Sequence, residues 1–462
     1  MHEFGEELAD VGRGSVRSAS TTSRGASQLA VRSSTIGVEQ SLQMNSDAFD
    51  GESTMLRLSV LLAVVLCCVM VRAAEATHLN TVARGRVKLL DAPAAGGVSR
   101  ATVVDDLPLA HTAQLLPLDQ QGRLVGQQDA AAQAAQVFKN LDAALRAAGS
   151  SLDAVVKLNL YVSDESRVGD VERVVAQTFR GEVRPAASLV ITRLPREGVF
   201  VAADAIGIVE SEKTAEVSLH RSPALAGRGA HAAVLPAGVR IYIAGQAEPG
   251  DLKTATRKTL ESLRATLKFL GRGDRDIVEL KAFVTPMSAA ADVEQVVEEF
   301  FGERAAPPLA LVEWESNLPI EIELVASGGE AGKQAENAPT VDFLTPPGMT
   351  TSPVFSRVAR IHGGPTIYIG GLFGGQATTG AEQVEEIFAA LRDALEQTGG
   401  DLLHLAKATY YVSDEDASRA LNELRPKYYD PARPPAASKA MVRAVGRPKK
   451  TITLDMIAAP AR

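Results

Sequence analysis

The sequence has little of what several functional classes require. Its 462 residues include two cysteines, one tryptophan and seven tyrosines, and acidic residues outnumber basic ones to give a formal net charge of -8. The seven histidines are scattered, with none at the spacing of metal ligands. Nucleic acid needs positive charge for its phosphates and aromatic rings for its bases, so this composition disfavours it as a partner. We expect no metal, no cofactor and no nucleic-acid partner.

A strongly apolar run near the N-terminus has the pattern of an export signal. Leu58–Val71 is apolar, Arg57 precedes it, and small residues at 73–76 offer a cleavage site. Fourteen residues are too few for a spanning helix, which needs about 20. A membrane anchor or a buried helix is the alternative, and a lipoprotein signal is disfavoured because Leu66 is not small. We predict a signal peptide at 55–76.

This interpretation sets expectations for both sides of the cleavage point. Residues 1–54 are rich in Ser, Gly and Thr without apolar periodicity, which indicates a disordered tail or residues upstream of a true start at Met55 rather than Met1. Cleavage near Ala76 removes Cys67 and Cys68, so the mature chain has no disulfide and no thiol chemistry. We expect an exported protein, periplasmic or secreted, with no stable membrane anchor after cleavage.

Short strings recur in the same order at nearly constant offsets. YVSDE at 161–165 recurs at 411–415 and PAAS at 185–188 recurs at 435–438, both 250 residues later. VERVV at 171–175 recurs as VEQVV, 122 residues later. Such self-similarity is the signature of repeated structural units. The sequence predicts three units at 86–210, 215–327 and 346–460, here called copies 1, 2 and 3, with a linker at 328–345.

Each copy shows the same order of predicted elements, β-β-α-β-α-β-β. Apolar residues recur at helical spacing in the predicted helices, and Gly149, Gly271 and Gly399 stand where a first helix would end. This order predicts an α+β fold with both helices on one face of a sheet. The other face needs cover, and three sheets around a shared axis would bury three such faces together.

The strings carried by these elements resemble the RidA (YjgF) family of reactive-imine deaminases. The resemblance covers each copy almost end to end. It implies a chorismate-mutase-like fold and, because the family is typically homotrimeric, an intramolecular pseudo-trimer around closed sheets that is itself a monomer. The strings are IYIAGQ (241–246), IYIGGLF (367–373), LNLYVSD (158–164), RLP (193–195), IEIELVA (320–326) and VAADAIG (201–207).

The resemblance also implies an activity, the hydrolytic deamination of small imines and enamines in clefts between copies. An arginine holds the substrate carboxylate, a Cys or Thr follows two residues later, and an acidic residue and a glycine-containing turn place a water. Each candidate also has a plain structural interpretation as a strand or turn residue. The candidates are Asp204, Glu323 and Asp455 at the acidic position, Ser188 and Ser438 at the hydroxyl position, and Gly245 and Gly371 in the turn.

The arginine is missing from its expected position in every copy. That position holds Ala186 in copy 1 and Ala436 in copy 3, and Leu309 or Ala310 in copy 2. Arg184 is the candidate substitute for binding substrate, and Arg433 is its equivalent in copy 3. The alternative is that both are loop arginines exposed to solvent.

Two functions therefore stay open from the sequence. One is an imine or enamine deaminase that acts in at least one cleft. The other is a non-catalytic protein that keeps the fold and binds small metabolites or serves as a scaffold. Endoribonuclease activity is disfavoured, because the chain is acidic and lacks clustered histidines.

Overall fold

The computed structural model describes residues 86–91, 97–210, 214–333 and 338–461. The segments predicted as a tail (1–54) and as a signal peptide (55–76) lie outside the described residues and stay predictions. Within the described ranges, no helix is long and apolar enough to cross a membrane.

Each copy contains six strands and two helices, which confirms the predicted α+β fold class. The order is β-β-β-α-β-α-β-β, one short strand more than the sequence predicted. Copy 1 contains β1 (Val87–Leu90), β2 (Ala101–Val104), β3 (Leu109–Thr112), α1 (Ala130–Ala147), β4 (Val155–Val162), α2 (Val168–Thr178), β5 (Ala186–Ile191) and β6 (Val201–Ile208). Copy 2 contains β7 (Ser218–His220), β8 (Ala232–Leu235), β9 (Val239–Gln246), α3 (Leu252–Phe269), β10 (Ile277–Val284), α4 (Ala290–Phe301), β11 (Leu309–Glu313) and β12 (Ile320–Gly329). Copy 3 contains β13 (Val341–Leu344), β14 (Val358–Ile361), β15 (Thr366–Leu372), α5 (Gly380–Thr398), β16 (Gly400–Val412), α6 (Glu415–Leu424), β17 (Ala436–Met441) and β18 (Ile452–Pro460).

The additional strand corrects the predicted linker at 328–345. β12 extends to Gly329, and β13 pairs with β14 over 341–344. The sequence VDFL favours a strand through its β-branched and aromatic residues, but four residues are too few to show a period. Residues 330–340 separate β12 from β13.

The first helix of each copy ends as the sequence predicted. Gly149, Gly271 and Gly399 follow these helices with φ of 76°, 69° and 82°, a left-handed conformation that glycine adopts without steric cost. The helices begin at side chains that accept a hydrogen bond from the first turn, which satisfies one of its free N–H groups. These capping residues are Asp129, Asp251 and Thr379.

Each of the three sheets combines strands of two copies. Four strands come from one copy, and the two outer strands are the opening hairpin of the copy that follows, with copy 1 following copy 3. Sheet 1 has the order β5-β4-β6-β3-β8-β7, sheet 2 the order β11-β10-β12-β9-β14-β13, and sheet 3 the order β17-β16-β18-β15-β2-β1. The sequence had predicted that each copy forms its own sheet. The structure differs, because each copy gives its opening hairpin to the sheet of the preceding copy.

The exchange links the copies through main-chain hydrogen bonds. β8 of copy 2 runs antiparallel to β3 of copy 1, with Leu109 opposite Leu235 and Ala110 opposite Val234. In the same way, β2 of copy 1 pairs with β15 of copy 3, with Ile367 opposite Val103. The copies are therefore interlocked and not separate units on a string.

Cutting the chain between copies 1 and 2 is expected to leave the fold assembled. A specific protease site inserted after the exposed Glu216 would be cleaved, and the fragments would stay together because β8 remains bonded to β3. Size-exclusion chromatography should give a single native peak that separates into two fragments only in denaturant. Separation of the fragments without denaturant would contradict the exchange.

Alternate residues of the central strands face two different environments. Along β4, Leu158 and Leu160 pack in the cluster formed with helices α1 and α2. The intervening Lys157, Asn159 and Tyr161 are also buried but face away from the helices. Both helices therefore cover one face of the sheet, as predicted, and the opposite face meets the other sheets.

The three uncovered faces meet in a shared apolar cluster. Tyr161, Phe283 and Tyr411, which occupy equivalent positions in copies 1, 2 and 3, pack together there with Trp314. The strand order of each sheet is linear, so no sheet closes on itself. The sequence analysis had expected closed sheets. The pseudo-trimer arises from sheet-on-sheet packing around a common axis.

A polar junction joins all three copies elsewhere on this axis. The carboxylate of Asp106 in copy 1 accepts hydrogen bonds from Arg240 Nη2 at 2.7 Å and from the Gly238 amide at 2.9 Å, both in copy 2. It also accepts one from the Gly364 amide of copy 3 at 3.0 Å. Arg240 is fully buried.

Candidate functional site

Candidate residues from different copies meet along three seams, each named here by the copies that form it. The 3–1 seam brings Lys157 and Ser188 against Gly370 and Asp455. The 2–3 seam brings Glu321, Glu323 and Gly245 against Lys407 and Ser438. The 1–2 seam brings His111 and Gln114 against Glu279 and Leu309.

Strand register places the acidic and hydroxyl candidates at equivalent positions in the three copies. In every copy, one residue of the central strand lies opposite both positions. Asn159 pairs with Ser188 and Asp204, Lys281 pairs with Ala310 and Glu323, and Thr409 pairs with Ser438 and Asp455.

The same register locates the position two residues before Ser188, Ala310 and Ser438 in each copy. Lys157 lies opposite Ala186, and Lys407 lies opposite Ala436. In copy 2 the parallel pairing of Leu280 with Leu309 places Pro308 there. No copy has an arginine at this position.

The 3–1 seam is filled by a buried ion pair. Lys157 Nζ lies 3.1 Å from Asp455 Oδ1 and donates a hydrogen bond to Ser188 Oγ at 2.8 Å. A β-carbon at Gly370 would lie 2.7 Å from the same Nζ, so the lysine amine occupies the space beside this glycine. Burial alone would raise the pKa of Asp455, but the surrounding lysines lower it. Asp455 and Ser188 therefore lie close together, and Gly371 adjoins them. Both contact the amine of Lys157, which lies between them.

The 2–3 seam contains the equivalent ion pair and an additional acid. Lys407 Nζ lies 2.7 Å from Glu323 Oε1 and donates to Thr409 Oγ1 at 2.8 Å, so Glu323 is neutralised as Asp455 is. Glu321, two residues earlier on the same face of β12, has no ion-pair partner within 4.0 Å among the described residues. It is 5% exposed.

Glu321 lies against two of the predicted site residues. Its carboxylate occupies the space beside Gly245 that any side chain there would fill. Ser438 of copy 3 is close enough for its hydroxyl to influence the carboxyl, although its Oγ makes no hydrogen bond of normal geometry within the described part. Burial raises the pKa of Glu321 from 4.5 to about 7. A carboxyl that is partly protonated at neutral pH exchanges protons in either direction.

The raised pKa has a consequence for stability. Between pH 4.5 and 7 the unfolded chain ionises this group while the folded chain keeps it protonated, so stability falls as pH rises through this window. The loss is on the order of 3 kcal/mol. Glu321→Gln is expected to raise the urea midpoint at pH 8 and to leave it nearly unchanged at pH 5. An equal effect at both values would contradict the raised pKa.

The 1–2 seam carries a different arrangement of charges. Asp204 accepts hydrogen bonds from Asn159 Nδ2 at 2.7 Å and from the Tyr161 hydroxyl at 2.6 Å, and burial raises its pKa. Copy 2 has Glu279 where the other copies have lysine, and Glu279 pairs with His111 Nδ1 at 2.8 Å. Lys281 stands two residues later, where the other copies have the uncharged Asn159 and Thr409, so the positive charge of the cluster is kept.

A cavity of about 430 Å³ opens at the 1–2 seam. It lies between the end of β3 and the strand β11, and the segment 225–231 borders it. None of the acidic or hydroxyl candidates lines it.

The nominated arginines hydrogen-bond to main-chain carbonyl oxygens. Arg184 donates to the carbonyl oxygens of Gly181 at 2.7 Å and Arg180 at 3.4 Å, in the turn after α2. Arg433 donates to the carbonyl oxygens of Leu403 and Val341. Arg184 therefore has contacts within its own turn, whereas Arg433 contacts two strands of copy 3, β16 and β13.

Sequence reasoning missed the charged residues inside the central strands. The central strands are mostly apolar, and the charged side chains within them are at most 12% exposed; they are Lys157, Lys281, Lys407 and Glu279. The available signal was a charged residue within a strand whose pattern predicts burial on both faces. Such a charge must be paired or functional. Glu321 was overlooked because Glu323 two residues later has the same chemistry.

Comparison with known proteins agrees with the repeat. The family model described as Endoribonuclease L-PSP matches residues 90–208 and 222–327, that is, most of copies 1 and 2. A RutC family protein of Pyrococcus horikoshii is 34% identical over 111 residues, which are 86% of that protein and 21% of this chain. Protein DfrA of Myxococcus xanthus is 31% identical over 131 residues, 99% of its length and 28% of this chain.

Two solved structures are similar to about a quarter of this chain. A Rid-family protein of unknown function from Yersinia pestis has 25% sequence identity and a TM-score of 0.25, with 99% of that chain and 27% of this one covered. A YjgF-family protein from Neisseria meningitidis has 20% identity and a TM-score of 0.21, with 96% and 26% covered.

Proposed function

This chain belongs to the RidA (YjgF) family, and on that premise we propose that it hydrolyses small reactive imines or enamines in a single place, the 2–3 seam. The observation that supports this is the buried carboxyl of Glu321, with a pKa near 7, beside Gly245 and Ser438. The equivalent residues of copies 1 and 3 are Ala202 and Thr453, which cannot move a proton in this way.

The proposal assigns the acid–base role to Glu321 and not to the acidic residues predicted from the sequence. Asp204, Glu323 and Asp455 are held by Asn159 and Tyr161, by Lys407 and by Lys157, respectively. Removing one partner from such a buried pair leaves the other uncompensated, so we assign these carboxylates a structural role.

The chemistry needs a water, a base and an acid. Ionised Glu321 takes a proton from water as the water oxygen bonds to the imine carbon, and it returns this proton to the imine nitrogen, giving an amino alcohol. Glu321 then takes the hydroxyl proton and passes it to the amino nitrogen, so that the C–N bond breaks, the carbonyl forms and ammonia leaves. A single carboxyl with a pKa of about 7 can act as base and as acid in both steps.

Positive charge at this seam comes from elements other than the usual strand position. Arg357 is 4% exposed, and its guanidinium donates to Thr350 at 2.9 and 3.1 Å. Arg357 and Lys439 both act on the charge of Glu321. A small anionic substrate would therefore meet positive charge here, although not a bidentate fork at the family position.

Ammonia release tests the proposal. The mature chain, beginning near Ala76, would be mixed with freshly generated 2-iminobutanoate and with an aromatic imino acid. We expect release faster than in buffer. If several such substrates show only the buffer rate, the non-catalytic alternative stands, a metabolite-binding or scaffold protein with this fold.

We also propose that the protein is exported, acts as a monomer and binds a small molecule as its partner. The apolar run Leu58–Val71 supports export. Expression of the full chain in a Gram-negative bacterium should give a periplasmic protein whose N-terminus lies near Ala76. Recovery of the uncleaved chain from the cytoplasm would contradict export.

A further inference from the structure

Sheet 3 differs from the other two sheets in how the chain supplies its strands. Sheet 1 is built from the consecutive strands β3 to β8, and sheet 2 from the consecutive strands β9 to β14. Sheet 3 combines β15 to β18 with β1 and β2, which come from the other end of the described chain. Since β2 continues into β3 of sheet 1, the hairpin β1–β2 is attached to sheet 3 by non-covalent contacts.

Main-chain pairing, apolar burial and an ion pair hold this hairpin against copy 3. β2 runs antiparallel to β15, with Val103 opposite Ile367. Val103 is 8% exposed and Ile367 is fully buried. Arg100 Nη1 lies 2.7 Å from Asp393 Oδ2 of α5. These contacts depend on the sequence of the hairpin and not on the chain that supplies it.

The groove that receives the hairpin also has a wall from copy 1. Thr102 Oγ1 donates to Val156 O at 3.0 Å, and the Ser99 amide donates to Pro185 O at 2.9 Å. The hairpin of a second, identical chain would make the same contacts in this groove. The closed monomer and a hairpin-exchanged dimer therefore pair the same strands, and they differ at the connection from β2 to β3.

This connection consists of the four residues 105–108. Asp106 among them accepts hydrogen bonds from Arg240 and from the amides of Gly238 and Gly364, which fix the course of the closed chain. Four extended residues span about 13 Å, enough to cross between two chains that touch there. A short hinge next to an exchangeable element favours domain swapping.

We propose that the hairpin β1–β2 is exchangeable and that its partner is a second copy of this chain, each chain placing its hairpin against β15 of the other. The hairpins β7–β8 and β13–β14 lack this freedom, because each follows β6 or β12 of the sheet that it completes. In dilute solution the closed monomer is favoured, since a short tether gives an effective concentration on the order of 1 mM.

Cysteine pairs show which chain supplies the hairpin. Cleavage near Ala76 leaves the mature chain without cysteine, so Val103→Cys with Ile367→Cys introduces one pair across β2 and β15. Leu109→Cys with Leu235→Cys is the matched control across β3 and β8. Each protein would be refolded from urea, oxidised, and run on a denaturing gel without reductant.

The expected result depends on protein concentration in the first pair and not in the control. Competition with the tether predicts covalent dimer for about a fifth of the chains after refolding at about 0.3 mM and for under about 1% at about 3 μM. The control pair should give intrachain disulfide at both concentrations. Monomer alone at both concentrations in the first pair, or as much covalent dimer in the control, would overturn the proposal.

Two hinge variants provide a second test that needs no cysteine. Asp106→Asn weakens contacts that the closed chain alone makes, so it should at least double the dimer fraction seen by size exclusion with light scattering. Asp105 lies 3.6 Å from Arg86 at the base of the hairpin and moves with it, so Asp105→Ala should leave the fraction unchanged. Circular dichroism shows which variants fold. If a cysteine pair does not fold, wild-type protein that is monomeric after refolding at both concentrations contradicts the exchange.

Discussion

Replacing Glu321 by glutamine is expected to lower kcat/KM for imine hydrolysis at least 100-fold. General acid–base catalysis by a positioned side chain contributes about 10²–10⁴-fold, and glutamine keeps the shape while losing the exchangeable proton. Ammonia release from 2-iminobutanoate measures the effect. The fold should persist, because glutamine removes a carboxyl whose ionisation is unfavourable when buried.

Two equivalent serines provide a matched control for this assignment. Ser438 lies beside Glu321 in the 2–3 seam, and Ser188 accepts a hydrogen bond from Lys157 in the filled 3–1 seam. We expect Ser438→Ala to lower turnover several-fold and Ser188→Ala to leave it unchanged in folded protein. Equal losses would show that both seams work, and a loss with Ser188→Ala alone would place the chemistry in the 3–1 seam.

Replacing Lys281 by methionine is expected to destabilise the fold by about 3–5 kcal/mol, the cost typical of removing one partner from a buried charge cluster. Lys281 is 3% exposed, and Asp204 and Asp455 both act on its charge. Urea unfolding followed by Trp314 fluorescence measures the loss. Lys333→Met at an exposed position is the control and should change stability by less than about 0.5 kcal/mol.

The charge exchange within copy 2 gives this prediction a second test. Glu279→Lys with Lys281→Asn restores the lysine and asparagine pattern of Lys157 and Asn159 in copy 1. The double variant should cost less than the sum of its single variants, since the two positions belong to one electrostatic cluster. Strict additivity would mean that the cluster does not act as a unit.

The repeat and the elements were predictable from sequence because they depend on local signals. Strings at constant offsets gave three copies, and the order of elements predicted for each copy is present in the structure with one further short strand. Helical spacing followed by glycine located the three first helices. The four-residue strands β1 and β13 were missed, since so short a run shows no periodicity.

The exchange of hairpins and the division of roles between seams were not predictable in this way. β8 and β9 are separated by Pro236–Gly238, which reads as the turn of a local hairpin, yet β8 pairs with β3 and β9 with β14. Pairing partners are decided by packing of the whole assembly, which a local turn signal does not contain. The choice of Glu321 over Glu323 likewise depends on which one meets a lysine from another copy.

The pH dependence of imine hydrolysis tests the central claim most directly, namely that one carboxyl in the 2–3 seam carries the chemistry. The account predicts that kcat/KM of the mature chain follows a group with a pKa of about 7 and that this dependence disappears in Glu321→Gln. An identical profile and rate in the two proteins would contradict it.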